Sequence, residues 1–265
     1  MTPSPLELVE RVTRWTLAHP DERDPWEKAP AMTGVLAWNN ADAVAGVRRW
    51  IDRAVDTQGS DGYLCYSERI ELPHGHVRTF TPTGTLSAAI GYPMLEVYER
   101  TKDARYLEAA RLQAEAILRA PRTRDGGISC RFESKELWVD FIYLMGPFLA
   151  RYGRIAGERK HIDEAFAQYE VHGRHLIDPF TNLTRHAWCE TPNHFPQSTL
   201  WARGNGWLSA RPSICSRSRP TTSARSTSPT RVAPRCWRCS RCRTGAASFA
   251  TSSMIRSPSS RRRRR

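Results

Sequence analysis

Acidic residues, lysine and leucine are all missing from Arg211 to Arg265, as are Asn, Gln, His and Tyr. Natural basic tails draw on Lys, and natural disordered tails on Glu, Gln and Gly. Leucine is among the commonest residues of any chain. The stretch is instead built almost wholly of Arg, Ser, Thr, Pro, Ala and Cys, the mixture that GC-rich coding sequence gives when read out of frame. Single-codon residues allow a check. Read from the third base of each codon, Ser253-Met-Ile-Arg256 is compatible with Asp-Asp-Pro. Arg235 to Gly245 is compatible with Leu-Leu-Ala-Leu-Leu-Ala-Leu-Gln-Asp-Gly, a run of strong helix formers followed by a turn. The expectation is a frame change near Ser209–Arg211, so that residues 1–210 form one domain and 211–265 a disordered Arg/Ser-rich tail. The alternative is a genuine basic tail, ending in five Arg, that tethers nucleic acid or another anion.

The formal net charge of +13 would by itself suggest a nucleic-acid or membrane-surface partner. Fifteen of the 40 basic side chains are tail arginines, which leaves 25 basic against 27 acidic side chains in residues 1–210. The body is near neutral, and no nucleic-acid partner is expected for it. Cysteine is sparse there: Cys65, Cys130 and Cys189 are scattered, which excludes a disulfide framework. No Cys-x-x-Cys lies among them, and the pairs His74/His76 and His172/His175 stand well away, so no metal site is expected. In the tail, Cys236, Cys239 and Cys242 recur at three-residue steps, a pattern that codon composition alone produces. The N-terminal segment lacks the apolar core of a secretion signal, and no stretch is apolar enough to span a bilayer. A cytoplasmic protein with no membrane partner is the expectation.

An alternating strand pattern of any length is also missing, so the body reads as helices. Leu6, Val9, Val12 and Trp15 recur every third residue, and Val44, Val47, Ile51 and Ala54 mark a second amphipathic helix. Further helices are predicted over 86–101, 104–119, 137–154 and 161–177. Gly59-Ser-Asp-Gly62, Asp125-Gly-Gly127 and Asp178-Pro-Phe-Thr-Asn182 punctuate them. Two units repeat. Leu95-Glu-Val-Tyr98-Glu-Arg100 leads into Tyr106-Leu-Glu-Ala-Ala110, and Leu149-Ala-Arg-Tyr152-Gly-Arg154 leads into His161-Ile-Asp-Glu-Ala165. Each is a helix hairpin with a short polar turn, Lys102-Asp103 or Gly157-Glu158. Hairpins repeating about every 55 residues stack into a solenoid or close into a ring. Six would need about 330 residues at this period, so a ring would be incomplete at its C-terminus.

Three places could carry chemistry. Asp140 lies in the otherwise apolar run Leu137-Trp-Val-Asp-Phe-Ile-Tyr-Leu-Met145. A carboxylate buried alone costs several kcal/mol, so such an acid caps a helix, is satisfied by partners, or works in a pocket. Buried acids that hold a proton near neutral pH suit general acid catalysis. The second place is Trp201-Ala-Arg-Gly-Asn-Gly-Trp207. There Trp201 and Trp207 can stack on sugar faces, Arg203 can grip a carboxylate bidentately, and Asn205 can bond hydroxyls. Gly204 and Gly206 would let the backbone turn tightly. The third is His186 with Trp188. Gly126-Gly127 reads as a turn rather than a phosphate cradle, because no Lys-Ser/Thr follows.

These motifs, in this order, resemble the unsaturated glucuronyl and rhamnogalacturonyl hydrolases of glycoside hydrolase families 88 and 105. The residues concerned are Trp138-Val-Asp140, Met145-Gly-Pro-Phe-Leu-Ala150, Gln168, His172, Leu176, Asn182-Leu183, His186-Ala-Trp188 and Trp201 to Trp207. Tyr98 to Tyr106 is similar to the family's helix turn, and the likeness covers roughly residues 25–210. It implies an all-α (α/α)6 barrel and an unusual hydrolysis. Lyases that degrade pectin or glycosaminoglycan leave a C4=C5 double bond in the terminal uronic acid, and these enzymes hydrate that bond.

On this resemblance Asp140 is the general acid/base and Arg203 holds the uronate carboxylate or a neighbouring group. Trp138, Trp188, Trp201, Asn205 and Trp207 belong to the sugar site, and His186 bonds a hydroxyl or orients water. No metal or organic cofactor is implied. Two positions depart from the pattern: a second Asp is missing from Arg78 to Thr85, and Ser129-Cys130 stand where a His would follow the Gly pair. Another toroid sugar enzyme, an epimerase or a different glycosidase, is the alternative, as is an inactive fragment with a basic tail.

Overall fold

The computed structural model describes residues 3–19, 26, 28–64, 84–129 and 134–216, with 84–85 and 211–216 as backbone only. Cys65, Cys130, the acid-free segment through residue 83 and residues 217–265 lie outside the described residues. The chain divides into two units, Met1–Thr221 and Thr222–Arg265, and the described residues all belong to the first.

Helix α1 (Pro5–Ala18) starts at a capping box. Ser4 Oγ accepts the Glu7 backbone N–H, and Glu7 Oε2 accepts that of Ser4 at 2.6 Å. Next come α2 (Lys28–Trp38), α3 (Ala41–Asp56), α4 (Gly84–Thr101) and α5 (Ala104–Leu118). A short strand β1 (Glu136–Trp138) runs straight into α6 (Val139–Leu144), followed by α7 (Gly146–Ala156) and α8 (Arg159–Leu176). Strands β2 (Arg185–Cys189) and β3 (His194–Leu200) precede α9 (Ala202–Ser216).

The helices form two layers. Helices α2, α4, α6/α7 and α9 pack one on the next, and α3, α5 and α8 pack behind them. Helices α2, α4 and α7 are each joined to the outer helix that follows by the same two-residue turn. Asn39, Lys102 and Gly157 adopt left-handed φ values of 60°, 57° and 73°. Asn40, Asp103 and Glu158 follow as N-caps. A left-handed residue ends one helix and a polar cap starts the next, which turns the chain back on itself. Two of these turns match the predicted hairpin repeat; the third, at Asn39-Asn40, is an additional copy. This is the arc of hairpins from which an (α/α)6 toroid is built.

Buried Met32, Leu36, Ile51, Ile90, Met94, Leu95, Ile117, Phe141 and Phe148 fill the space between the layers. Helices α4 and α7 approach closely at Gly91, where a Cβ would lie 2.3 Å from the Phe148 ring. At the rim Glu99 of α4 receives both Arg151 and Arg154 of α7. Burial pushes the Glu99 carboxyl up, but the two guanidiniums outweigh it and hold the group below the usual carboxylate range.

Three expectations are corrected. The predicted helix over 137–154 is a strand and two helices, because residues 136–138 pair with β2 and the helix breaks at Met145. A three-stranded antiparallel sheet, in the order β1-β2-β3, is present although no strand pattern was found. Its strands are short, β3 carries Pro196 and is mostly exposed, and the apolar residues of β1 merge with those of α6. Lastly, Leu6, Val9, Val12 and Trp15 of α1 are exposed among the described residues, and its buried positions are Thr13 and Thr16.

Candidate active site

Asp140 sits in the first turn of α6 but is not its N-cap. Trp138 holds that position, and its side chain does not cap the helix. The Asp140 carboxylate is nearly buried, and its two oxygens have different surroundings. Oδ1 accepts the Nε1–H of Trp207 from α9 at 3.2 Å. Oδ2 lies 3.2 Å from Nε2 of His186 on β2, but the contact is not aligned as a hydrogen bond. Oδ2 is therefore a buried oxygen with no hydrogen-bond partner. Buried polar atoms are nearly always satisfied, and each exception calls for a cause, a catalytic role among them.

Aromatic rings surround the pair. His186 meets Trp138 edge-on with centroids 5.1 Å apart, and lies tilted on Trp201 at 4.4 Å. Trp138 is oriented by its own Nε1–H, which donates to Glu136 Oε2 at 2.9 Å. The register places Trp138 opposite Ala187, and thus beside His186. Trp207 stacks on Tyr143 of α6 with centroids 4.4 Å apart. Burial, then the neighbouring Tyr92, push the Tyr143 phenol up, so it is neutral at physiological pH. Neither Glu136 nor Tyr143 is singled out by the sequence: Glu136 precedes and Tyr143 lies within an apolar run that reads as helix.

Arg203 is exposed at the same end of α9. Its guanidinium lies 4.1 Å from the Trp201 ring centroid and 5.3 Å from that of Trp26. Among the described residues it has no acidic partner, so it can receive an anion from outside while the indoles hold its plane. Gly204 and Gly206 do not make the tight turn that was expected; both are helical. At Gly204 a Cβ would lie 2.7 Å from Val139 Cγ1, so that glycine permits the close approach of α9 to α6.

Two predicted sugar-site residues stand apart from this group. Asn205 spends its amide on the backbone: Oδ1 accepts Thr184 N–H at 2.9 Å and Nδ2 donates to Trp201 O at 2.8 Å. It ties α9 to the approach to β2. Trp188 is buried, donates Nε1–H to Asn193 Oδ1 at 2.8 Å and stacks on His175 of α8 at 3.7 Å. Its ring packs β2 against α8, and the ladder between β2 and β3 is irregular on either side of Ala187.

Behind the site, α8 supplies a polar spine. Gln168 Oε1 accepts Ile128 N–H at 2.7 Å, and its Nε2 donates to Gly126 O at 2.9 Å, fixing the Asp125-Gly-Gly127 turn that φ +92° at Gly126 makes possible. His172, one turn on, is fully enclosed. Its Nδ1 meets Gln168 O at 2.9 Å and its Nε2 has no partner. Burial lowers its pKa to about 4, against smaller opposing contributions, so the ring is neutral at physiological pH.

A separate group, Glu115, Glu158 and buried His161, has ligand atoms close enough to share a cation. The Lys160 ammonium already sits among them, 2.9 Å from Glu115 Oε1 and 3.2 Å from Glu158 Oε2.

A hairpin arc that gathers a buried acid, several indoles and an arginine without an acidic partner among the described residues is of the helix-toroid class. Residues 8–214 match the family model described as Glycosyl Hydrolase Family 88, and the chain belongs to that family. It is 31% identical over 211 residues to the unsaturated rhamnogalacturonyl hydrolase YesR of Bacillus subtilis (strain 168), covering 76% of this chain and 55% of that protein. A possible family 105 member from Salmonella enterica serovar Paratyphi A superposes with a TM-score of 0.63 at 19% identity, over 84% of this chain and 66% of that one. A family 105 glycoside hydrolase from C. acetobutylicum gives 0.65 at 17% identity, over 82% and 60%. The chain thus spans little more than half the length of this curated relative. Among the described residues no helix is long and apolar enough to cross a membrane.

Proposed function

We propose that this chain carries the catalytic face of a hydrolase for unsaturated uronyl oligosaccharides, the products of pectin or glycosaminoglycan lyases. The observation that carries the reading is Asp140 Oδ2, a buried carboxylate oxygen without a hydrogen bond, set against His186 and ringed by Trp138, Trp201 and Trp207. The name of the YesR relative supports the rhamnogalacturonan side of this substrate class.

Protonated Asp140 gives its proton to C4 of the C4=C5 bond, and positive charge develops on C5 and the ring oxygen. Water adds to C5 and returns a proton to the carboxylate. The hemiketal so formed opens and releases the second sugar, so the net change is the addition of one water. Arg203, free of acidic partners among the described residues, pairs with the uronate carboxylate. Indole faces pack on the apolar faces of the sugar, and His186 hydrogen-bonds a hydroxyl or the water. Trp188 and Asn205 act indirectly, by holding β2 and α9 in place.

The test is loss of the ultraviolet absorbance of an unsaturated disaccharide, measured with wild type and Asp140→Asn. Wild type should consume the chromophore; the variant should be silent while its circular dichroism is unchanged. We propose further that residues 1–210 are the hydrolase domain and that 211–265 are read out of frame. The same assay is therefore run on a gene whose frame is restored after Ser209. A fully active Asp140→Asn variant in either background would sink the assignment.

A further inference from the structure

Tyr143 has no part in the chemistry above, yet it is placed to control it. It follows Asp140 by three residues on α6, so the two side chains share a helix face. Its ring stacks on Trp207 at 4.4 Å and an interplanar angle of 27°. Trp207 donates its Nε1–H to Asp140 Oδ1 at 3.2 Å. Tyr143 also lines a small cleft with Thr33 of α2, Tyr92 of α4 and Pro147 of α7. Tyr143 therefore belongs to the wall of the inner helix layer, and Trp207 rests on that wall. A half-buried indole held by one hydrogen bond of ordinary length is free to swing about its side-chain torsions; a ring stacked on its face removes that freedom.

We infer that Tyr143 is a positioning residue: by clamping the Trp207 indole it keeps the N–H on Asp140 Oδ1, which leaves Oδ2, against His186, as the oxygen that carries and delivers the proton. The inference rests on the reading of Asp140 as proton donor. Without the clamp both oxygens are open to the proton, and the carboxyl can rotate about its terminal torsion. Misplacement of a reacting group by about 1 Å costs on the order of 100-fold in rate. The loss should fall mainly on kcat, because Arg203, Trp138 and Trp201 are untouched and only the Trp207 wall of the sugar site shifts.

The experiment uses the full chain, labelled with ¹⁵N, and reads the indole N–H resonances of its nine tryptophans. Trp207→Phe identifies the Trp207 signal, and Asp140→Ala should move it toward the position of a free indole. Tyr143→Leu should move the same signal in the same direction and speed its exchange with solvent, with the other indole signals in place as the control for folding. Tyr143→Phe, which keeps the ring, should restore the wild-type signal. In an active background Tyr143→Leu should lower kcat about 10–100-fold and change KM by much less, and Tyr143→Phe should recover both. A Trp207 signal unaffected by Tyr143→Leu, or displaced equally by Phe and Leu, would overturn the inference. Absence of hydrolysis in the frame-restored protein would instead count against the proton-donor reading, while the indole signals still decide the clamp.

Discussion

Replacing His172 by Phe should make the protein markedly less sensitive to acid. The folded chain binds a proton on this ring only near pH 4, chiefly because the ring is enclosed, whereas an exposed histidine in the unfolded chain binds one near pH 6.5. Between those values the unfolded state holds more protons, so stability rises with pH across the window. The contribution is intact above about pH 6.5 and declines as pH falls toward about 4. Acidification from pH 7 to 4.5 should therefore cost about 2 kcal/mol through His172 alone. Charges facing the ring act in opposite directions: His175 opposes its protonation and Asp125 favours it. Both are retained in the variant.

Phe fills similar space and removes the unpartnered Nε2, so stability at pH 7 should change little. Urea unfolding at pH 7 and 4.5 gives the comparison. The drop in unfolding free energy between the two should be smaller in His172→Phe by about 2 kcal/mol, or about 4–8 °C in Tm for a domain of this size. Equal drops would show that His172 is solvated or charged in the folded state, and the enclosed-ring argument would fail.

At the contact of α4 with α7, Gly91→Ala puts a Cβ 2.3 Å from a Phe148 ring carbon and should destabilise by about 1–3 kcal/mol, as overpacking does. A variant as stable as wild type in thermal unfolding would mean that the two helices separate freely. Asn205→Leu removes the acceptor for the buried Thr184 N–H and should cost about 1–3 kcal/mol. It should also lower kcat/KM, because Arg203 and Trp207 ride on the same helix. Unchanged stability together with unchanged kinetics would remove Asn205 from the site.

The repeated hairpin was legible because its turns carry local chemistry. Lys102-Asp103 and Gly157-Glu158 each join a chain reversal to a helix start, and the flanking apolar residues keep the helix period. The copy at Asn39-Asn40 obeys the same rule but was not seen, since α2 before it, Lys28–Trp38, has apolar residues all round and so no periodic face. On α1 the period was right and the direction wrong. Periodicity finds an apolar stripe but not what covers it, and Thr13 and Thr16 face the body instead. Asp140, Trp138, His186, Trp201, Arg203 and Trp207, all named from the chain, lie close together in the structure. Asn205 and Trp188 were named for the same residue-type reasons, but their polar groups bond Thr184, Trp201 and Asn193. A side chain's chemistry is written in the sequence; the neighbour that uses it up is not.

That distinction matters most at the junction of β1 and α6. Residues two apart on a continuous helix point about 200° away from each other. Had 137–154 been one helix, Trp138 and Asp140 would lie on opposite faces and could not share a partner. The chain changes instead from strand to helix between Trp138 and Val139. Pairing with β2 holds Trp138 in extended backbone, and the first turn of α6 then brings Asp140 round to the same side. Both reach His186, the indole at 5.1 Å between ring centroids and the carboxylate at 3.2 Å. The small sheet is thus what makes the cage possible. It fixes His186 and Trp138 side by side on adjacent strands, and it converts a hydrophobic run that packs elsewhere as helix into a bend with an acid at its inner corner.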